Sequence, residues 1–423
     1  MGVITETLIG IAKIIVNINF FMFIIIVGSV LYLKNNRVVK VQKAVMGRAY
    51  YSTVELTISQ IVIGILGGII ISLILTILGI AVDFPSTILI MLIISLILMK
   101  VKPRYMCFAY SGPILAFISF FSLIMVKYFR VSEEYLFDIN IISLMSLIGV
   151  LHLVEGLLIL IDGKRGVTPI FAKRKGKIIG GFSISRYWVL PLVFLMVNTH
   201  NPTSYVEVNN WWPILNGTLG AVAIGTVIGV KFIPTFVMIG YNTITFTKEK
   251  EKKIVSTAIN TSLYGLSLVV FAQLASLNLF MKFLLIIYAP LAHEFMLRIE
   301  YYLEVSKSPK FINRDEGLIV LDVLPDSPAW KMGIRSGDLL LEANGEPLVS
   351  SISFSKTIKE IKKSVHIKIQ KNNGKVKEVM YEKLLKGEDL GVIIVPNIVD
   401  NDKNKDSRNF SDVLDRIINK NKQ

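Results

Sequence analysis

Charged residues are scarce in this sequence, at 18% of its 423 residues, whereas a soluble protein carries about 25%. Hydrophobic residues make up 53% instead. They fill the first three quarters of the chain and become less frequent after Lys307, where a Lys-rich stretch and a polar tail follow. This composition argues against an ordinary soluble protein and predicts a membrane part followed by a soluble domain.

Cysteine is almost absent as well, since Cys107 is the only one. The chain can therefore form no internal disulfide and no cluster of several thiolates. We interpret Cys107 as a small apolar residue inside a membrane helix. A cleavable signal peptide is not evident either, because residues 1–7 contain Glu6 and no basic residue. The apolar run 8–33 is too long for a signal-peptide core but suits a spanning helix.

Apolar runs of roughly 20 residues, the length that crosses a bilayer, recur along the chain. After the run 8–33, they begin near Ile58, Met106, Ile139, Trp212, Ile254 and Leu279. The run 87–99 is shorter, and we expect it to span with its flanking residues. The run 188–197 is shorter still and could span together with residues 178–185 or form a re-entrant segment. The sequence therefore predicts a polytopic α-helical membrane domain of about eight or nine transmembrane helices.

Basic loops alternate with non-basic loops between these runs. The basic loops fall within residues 34–48, 100–104, 164–186 and 248–253, whereas Asp83 and residues 133–138 and 200–210 mark the others. The positive-inside rule places the basic loops and the C-terminal domain in the cytoplasm. The net charge of +15 is thereby explained as a topology signal, and attraction to anionic membrane lipids or an acidic partner is the alternative. Nucleic-acid binding is not needed to explain it.

Ionisable residues within the apolar runs mark possible functional sites. His152 and Glu155 lie three residues apart on one helix face, which is compatible with a mutually satisfied pair or with a transport path. His293 and Glu294 begin a zinc-protease motif, but the second histidine that this chemistry needs is replaced by Leu297. The stretch 160–163, with its Asp162, faintly resembles the second motif of site-2 proteases but precedes the histidine. No soluble protease motif is present, so we predict no catalytic residue, no metal ligand and no cofactor.

A long motif in the soluble part resembles PDZ domains. It runs from Gly317 through Leu324-Pro325-Asp326-Ser327-Pro328-Ala329, Gly333-Ile334 and Gly337-Asp338 to Asn344-Gly345. Residues 319–323 and 339–343 read as strands, Ser327 caps a short helix that begins at Pro328, and Asn344-Gly345 forms a tight turn. The resemblance implies a small α+β fold of the circularly permuted bacterial type, because the Leu-Gly loop follows the motif at Leu390-Gly391. We predict a membrane domain at 1–305, a PDZ domain at 306–398 and a polar tail with a possible short amphipathic helix at 399–423.

The PDZ resemblance also implies a groove that binds a peptide as an added strand. One wall is the strand after the Leu-Gly loop, and the other is an amphipathic helix within residues 353–363. The predicted peptide-binding residues are Leu390, Gly391, Val392, Ile394, Phe354, Ile358 and Ile361. The alternative is that these apolar residues only fill the core of the domain.

A multispan membrane part joined to a permuted PDZ domain resembles the MinJ family of Gram-positive bacteria. That family implies a scaffold at the division site, bridging the polar scaffold DivIVA to the division inhibitor MinD. The expected protein is thus an adaptor in the cell membrane, enriched at septa and poles, that binds proteins through its cytoplasmic PDZ groove. A degenerate site-2-type intramembrane protease and a PDZ-regulated transporter are the alternatives.

Overall fold

The computed structural model describes residues 2–81, 85–197, 204–207, 211–215, 227–360, 364–382 and 389–397. The helices are α1 (Gly2–Ile15), α2 (Ile18–Met46), α3 (Thr53–Leu78), α4 (Pro85–Val101), α5 (Phe108–Phe129), α6 (Ile141–Asp162), α7 (Lys250–Leu274), α8 (Leu279–Ser306), α9 (Pro328–Lys331) and α10 (Ser351–Glu360). The strands are β1 (Val167–Arg174), β2 (Lys177–Val197), β3 (Ser204–Glu207), β4 (Val227–Thr245), β5 (Phe311–Ile312), β6 (Leu318–Val323), β7 (Leu339–Ala343), β8 (Glu346–Pro347), β9 (Val365–Gln370), β10 (Val376–Tyr381) and β11 (Val392–Ile394). The predicted tail at 399–423 and its short helix lie outside the described residues.

Six helices in the described part of the chain are long and apolar enough to cross a membrane. They comprise most of α2 together with α3, α5, α6, α7 and α8, and the shorter apolar helix α4 covers the predicted run 87–99. The fold of a helical membrane domain followed by a PDZ domain is confirmed. The run 8–33 is not one helix, however. It is divided between α1 and α2 at Asn17, whose side chain accepts a hydrogen bond from the Asn19 N–H and caps α2.

Two predicted spans contain strands where the structure describes them, so the described residues do not hold eight or nine transmembrane helices. Residues 178–197 belong to β2, and the segment expected to span from Trp212 continues into β4. These two strands pair antiparallel from Phe182–Thr245 to Val197–Val230. Both are rich in β-branched and aromatic residues, which favour a strand. Hydropathy alone could not distinguish the two conformations.

Strand β2 packs lengthwise against helix α3. A methyl group at Gly64 would lie 2.3 Å from the Val189 carbonyl oxygen, and one at Gly68 would lie 2.2 Å from that of Pro191. Four residues of a helix rise about 6 Å and two residues of a strand rise about 6.6 Å. The same contact between α3 and β2 can therefore recur every four residues of the helix and every two residues of the strand. One turn further on, the Ser72 hydroxyl accepts a hydrogen bond of 3.0 Å from the Val193 N–H. These contacts cover part of an edge of β2 that would otherwise face an apolar environment with unpaired backbone groups.

The PDZ domain forms a sheet in the order β10-β9-β7-β6-β11, with β8 paired to β7. The Ser327 hydroxyl accepts a hydrogen bond from the Trp330 N–H and caps α9, as expected. Asn344 and Gly345 both have positive φ, at 49° and 83°, as a two-residue hairpin turn requires. The predicted short helix, strands and turn are therefore present. Strand β11 follows all the others in the chain yet pairs with β6, the first strand of the motif, which is the permuted arrangement.

Candidate functional site

Strand β11 forms one end of the PDZ sheet. It pairs antiparallel with β6, from Val392–Val323 to Ile394–Val320. In the sheet order of the described residues, no strand follows β11 on its other side. An edge strand of this kind is the element to which PDZ domains add a bound peptide.

The two faces of β11 contact different parts of the molecule. Val392 and Ile394 are half-buried and pack with the PDZ core, which includes Phe354 and Leu390. Ile393 and Val395 are buried and belong to the main apolar cluster of the membrane domain. The alternation follows from the two-residue period of a strand. One face of β11 is therefore available to a groove, while the other holds the domain against the membrane part.

The predicted groove residues come together where the structure describes them. Phe354 and Ile358 of α10 lie in the same apolar cluster as Leu390, Val392 and Ile394. Phe354 and Leu390 are only 8% and 3% exposed, so they mainly fill the core, and the half-buried residues are those that a peptide could contact. The remaining predicted residue, Ile361, lies outside the described residues. That these residues bind a peptide stays a prediction.

Gly391 gives the loop before β11 its shape. Its φ is +76°, and a methyl group there would lie 2.4 Å from Ser327 Cβ. The carbonyl groups of Leu390 and Gly391 both form backbone hydrogen bonds. The Leu390 oxygen accepts from the Ala329 N–H, and the Gly391 oxygen accepts from the Leu324 N–H. The Leu-Gly loop is thus held against the start of α9 by a glycine that no other residue can replace without strain.

The PDZ domain is docked on the membrane domain through Asp322 of β6. This carboxylate is 3% exposed. It accepts hydrogen bonds of 2.6 Å from the Tyr50 hydroxyl and 2.5 Å from the Lys250 ammonium group. Burial and the neighbouring Asp322 charge raise the pKa of Tyr50 well above its usual range, so Tyr50 remains a neutral donor. Tyr50 precedes α3 and Lys250 begins α7, so both belong to the membrane domain.

Further contacts reinforce this docking. Strand β5 pairs with β2 of the membrane domain at Ile312–Ile179 and Phe311–Gly180. Glu249, which precedes α7, forms an ion pair with Lys310. Burial alone would raise the pKa of Glu249, but the hydrogen bonds and charges of Lys310 and Lys252 together outweigh it and lower that pKa. The PDZ domain is consequently attached to the membrane domain by a strand pair and by two ionic contacts.

The His293–Glu294 pair does not have the surroundings of a zinc protease. Glu294 is bound to Arg104 and Arg298, each at 2.9 Å, and it accepts a hydrogen bond of 3.0 Å from the Tyr110 hydroxyl. A glutamate held by two arginines is a poor general base.

Asp162 is also remote from these residues. It is fully buried and bound to Arg186 at 2.5 Å and to the Trp188 indole at 2.8 Å. On α6 it lies ten residues beyond His152, which corresponds to about 15 Å. The stretch 160–163 therefore serves a structural ion pair in this fold.

His152 and Cys107 differ from what the sequence predicted. Among the described residues, no hydrogen bond joins His152 to Glu155. The His152 Nδ1 atom instead contacts the Ile148 carbonyl oxygen at 2.8 Å, and its Nε2 atom lies 3.1 Å from Cys107 Sγ. Cys107 immediately precedes α5 rather than filling an apolar gap within a helix. It also lies 3.8 Å from His293 Nε2. Sequence reasoning missed this cluster because its members are far apart in the chain.

Comparison with known proteins agrees with the two-part architecture. Residues 319–371 match the model of a PDZ domain family. The chain is 25% identical over 321 residues to the cell division topological determinant MinJ of Bacillus subtilis, which covers 74% of this chain and 77% of that protein. The resemblance to MinJ is therefore confirmed at modest identity, and it supports a membrane protein that acts as a division-related adaptor.

Two proteases match over short stretches. One is a probable periplasmic serine endoprotease DegP-like of Marinomonas sp., 48% identical over 40 residues, or 10% of this chain and 8% of that protein. The other is serine protease HTRA1 of Xenopus tropicalis, 30% identical over 63 residues, or 15% of this chain and 14% of that protein. Both matches cover only the PDZ region, so they indicate protein–protein interaction and carry no information about proteolysis.

Proposed function

We propose that this protein is a membrane-embedded adaptor that recruits partner proteins through its PDZ domain during selection of the division site. Its expected role is to bridge a scaffold at the cell pole to an inhibitor of division. The observation that carries the proposal is the similarity to MinJ over 321 residues. That length far exceeds the PDZ match at 319–371, so the similarity includes the membrane domain.

The proposed recruitment uses the open edge of β11. A partner segment would pair with this strand, and its side chains would contact the half-buried Val392, Ile394 and Ile358. Backbone pairing provides affinity, and the alternate side chains provide specificity. The opposite face of β11 contacts the membrane domain, so the groove would be presented in a fixed orientation to the membrane surface.

The cytoplasmic placement of the PDZ domain is part of this proposal. The basic residues of the loops near 34–48, 100–104 and 164–177 support it through the positive-inside rule. Cysteine-accessibility labelling in intact cells tests it, with one cysteine introduced at the exposed position Val376 of the PDZ domain or Glu134 of an opposite loop, and with the wild type as the control for labelling of Cys107. Labelling by a membrane-impermeant reagent at position 134 and protection at position 376 are expected; the reverse pattern would contradict the placement.

Localisation in dividing cells is the direct test of the function. The full-length protein, fused to a fluorescent protein, is expected at septa and poles. A variant lacking residues 307–423 is expected to insert into the membrane but to leave septa misplaced. Uniform membrane signal and normal septa in both strains would overturn the division role.

Groove variants of the full chain then test the recruitment step. Ile358→Lys places a charge among the groove residues, and Val376→Lys is the matched control because Val376 is 52% exposed on β10, at the far end of the sheet. Loss of partner binding and septal placement is expected for Ile358→Lys only. The milder Ile358→Ala and a measurement of protein abundance separate a groove effect from unfolding. If all three variants bind partners normally, the groove is not used.

A further inference from the structure

Three potential metal ligands meet inside the membrane domain, each from a different structural element. Cys107 precedes α5, His152 lies on α6 and His293 lies on α8. Their ligand atoms, one thiol sulfur and two imidazole nitrogens, all lie within 4.8 Å of one another. Both histidines are buried, at 4% and 7% exposure. Nothing in the proposed adaptor function requires such a cluster.

Hydrogen bonds to the outer ring nitrogens determine how both histidines are protonated. His152 Nδ1 lies 2.8 Å from the Ile148 carbonyl oxygen, which can only accept, so this nitrogen carries the proton. The Tyr110 hydroxyl donates its single proton to Glu294. His293 Nδ1, at 3.2 Å from the same hydroxyl, must therefore donate to it. With the proton on Nδ1, each ring faces Cys107 with its Nε2 atom, which is the orientation of a metal-ligating histidine.

Both Nε2 atoms share one partner, the Cys107 sulfur, so in the metal-free form with neutral rings one of them would lack a donor. The two Nε2 lone pairs face the Cys107 sulfur at 3.1 Å and 3.8 Å. A thiol has one proton and can donate to only one of them. A buried polar atom that lacks a partner is unfavourable by about 1–3 kcal/mol. A cation at the centre, with the thiol deprotonated, would satisfy all three groups at once.

The two sulfur–nitrogen distances fit a tetrahedral ion. Zinc binds nitrogen at about 2.1 Å and thiolate sulfur at about 2.3 Å, so a tetrahedral pair of these ligands is separated by about 3.6 Å. The two observed sulfur–nitrogen distances, 3.1 Å and 3.8 Å, lie on either side of this value. We propose that Cys107, His152 and His293 bind a Zn²⁺ ion that cross-links α5, α6 and α8. Binding releases the thiol proton to solvent and leaves the fourth position for a water molecule.

The surroundings support a structural ion. The Tyr264 ring packs edge-to-face against both histidines, at centroid distances of 4.9 Å and 5.2 Å, and its hydroxyl is bonded to the Ala289 carbonyl oxygen. These contacts hold the rings in place. Glu294 is bound to two arginines, so the site lacks the free glutamate that zinc-dependent hydrolysis uses. Because α8 leads directly into the PDZ domain, the ion would fix the helix that carries it.

Metal content of the purified protein tests the proposal. The full chain, expressed with zinc and purified through an affinity tag without histidines, is expected to contain one zinc ion per chain. Cys107→Ser, His152→Gln and His293→Gln should each reduce bound zinc roughly tenfold or more. His366→Gln is the matched control, since His366 lies on β9 of the PDZ domain, and it should retain the metal. Absence of zinc from the wild type, or equal zinc in all variants, would overturn the site.

A second measurement avoids variants that fail to fold. Cys107 is the only cysteine in the chain, so a thiol reagent reports on it alone in the wild-type protein. Alkylation is expected to be slow with zinc bound and faster after a chelator removes it. Cobalt added to the stripped protein should produce a thiolate-to-metal charge-transfer band and restore the protection. The same alkylation rate with and without zinc would refute coordination by Cys107, whatever the outcome of the localisation experiments.

Discussion

Neutralising Asp322 should release the PDZ domain from the membrane domain. Asp322→Asn keeps the shape of the side chain but removes the charge that Lys250 and Tyr50 contact at 2.5 Å and 2.6 Å. A hydrogen bond to a charged group contributes about 1.5–3 kcal/mol. Breaking a fully buried ion pair costs about 3–5 kcal/mol, but the Lys250 side chain is 19% exposed and water can partly replace its partner. We therefore expect a loss of about 2 kcal/mol, or roughly a 30-fold shift of the docking equilibrium.

Hydrogen exchange of the full chain measures this shift. The amides of β5 are the probe, since they pair with β2 only while the domain is docked. Their protection should fall by roughly 30-fold in Asp322→Asn if opening is followed by fast reclosing. In a double-mutant cycle, Lys250→Gln should lower the protection of the β5 amides less in the Asp322→Asn variant than in the wild type.

Glu342→Gln is the matched control for this prediction. Glu342 is also a PDZ carboxylate and forms an ion pair with Lys368 at 2.7 Å, but the two side chains are 38% and 45% exposed. Surface pairs of this kind contribute little, so β5 protection should not change. Unchanged protection in Asp322→Asn, or an equal decrease in Glu342→Gln, would refute the assignment of Asp322 as the docking residue.

Three further predictions follow from particular contacts. Gly64→Ala should lower the thermal stability of the membrane domain in detergent by about 1–3 kcal/mol through overpacking against β2, whereas Gly28→Ala should be tolerated because its new methyl group would lie 3.5 Å from Ile61. The lowered pKa of Glu249 means that its ionised form stabilises docking fully above the unfolded-state pKa of about 4.3, and that this stabilisation is lost as the pH falls through the lower folded-state pKa. The protection of β5 amides should therefore be less sensitive to acid in Glu249→Gln than in the wild type. Gly391→Ala should reduce the thermal stability of the PDZ domain and weaken partner binding, because its φ is +76° and Ser327 Cβ lies 2.4 Å from the added methyl group; unchanged stability would contradict the argument from strain.

The sequence predicted the PDZ domain in detail because its signals are local. Ser327 before Pro328 marks a helix start, and Asn344-Gly345 marks a turn, whatever the rest of the chain does. The groove residues follow from two further local signals, the apolar stripe within 353–363 and the Leu-Gly pair at 390–391, and the apolar ones that the structure describes share one cluster. Which of them contact a ligand depends on exposure, and exposure is a property of the packed fold.

The antiparallel strands β2 and β4 were missed because apolar content was taken to mean helix. A local signal was nevertheless present. Lys175-Gly176 joins β1 to β2 with φ values of 49° and 79°, the combination that two-residue hairpin turns require. The cluster of Cys107, His152 and His293 had no such signal, because its members are 45 and 141 residues apart and meet only through the packing of α5, α6 and α8.

The topology prediction does not depend on the error about the hairpin. A segment that crosses a membrane reverses the side of the chain whether it is a helix or a strand. Strand β2 starts beside the basic turn at Lys175-Gly176, and its far end contacts the end of α3 through the Ala81–Leu195 bridge. Strand β4 returns to Lys248, beside the start of α7. If β2 and β4 each cross the membrane, they change its side twice, as the two predicted spans would, and the positive-inside rule still predicts the loops at 164–177 and 247–253 on one side. The inferred side of the PDZ domain therefore follows from the charges of the loops and from the number of crossings, and not from the conformation of each crossing.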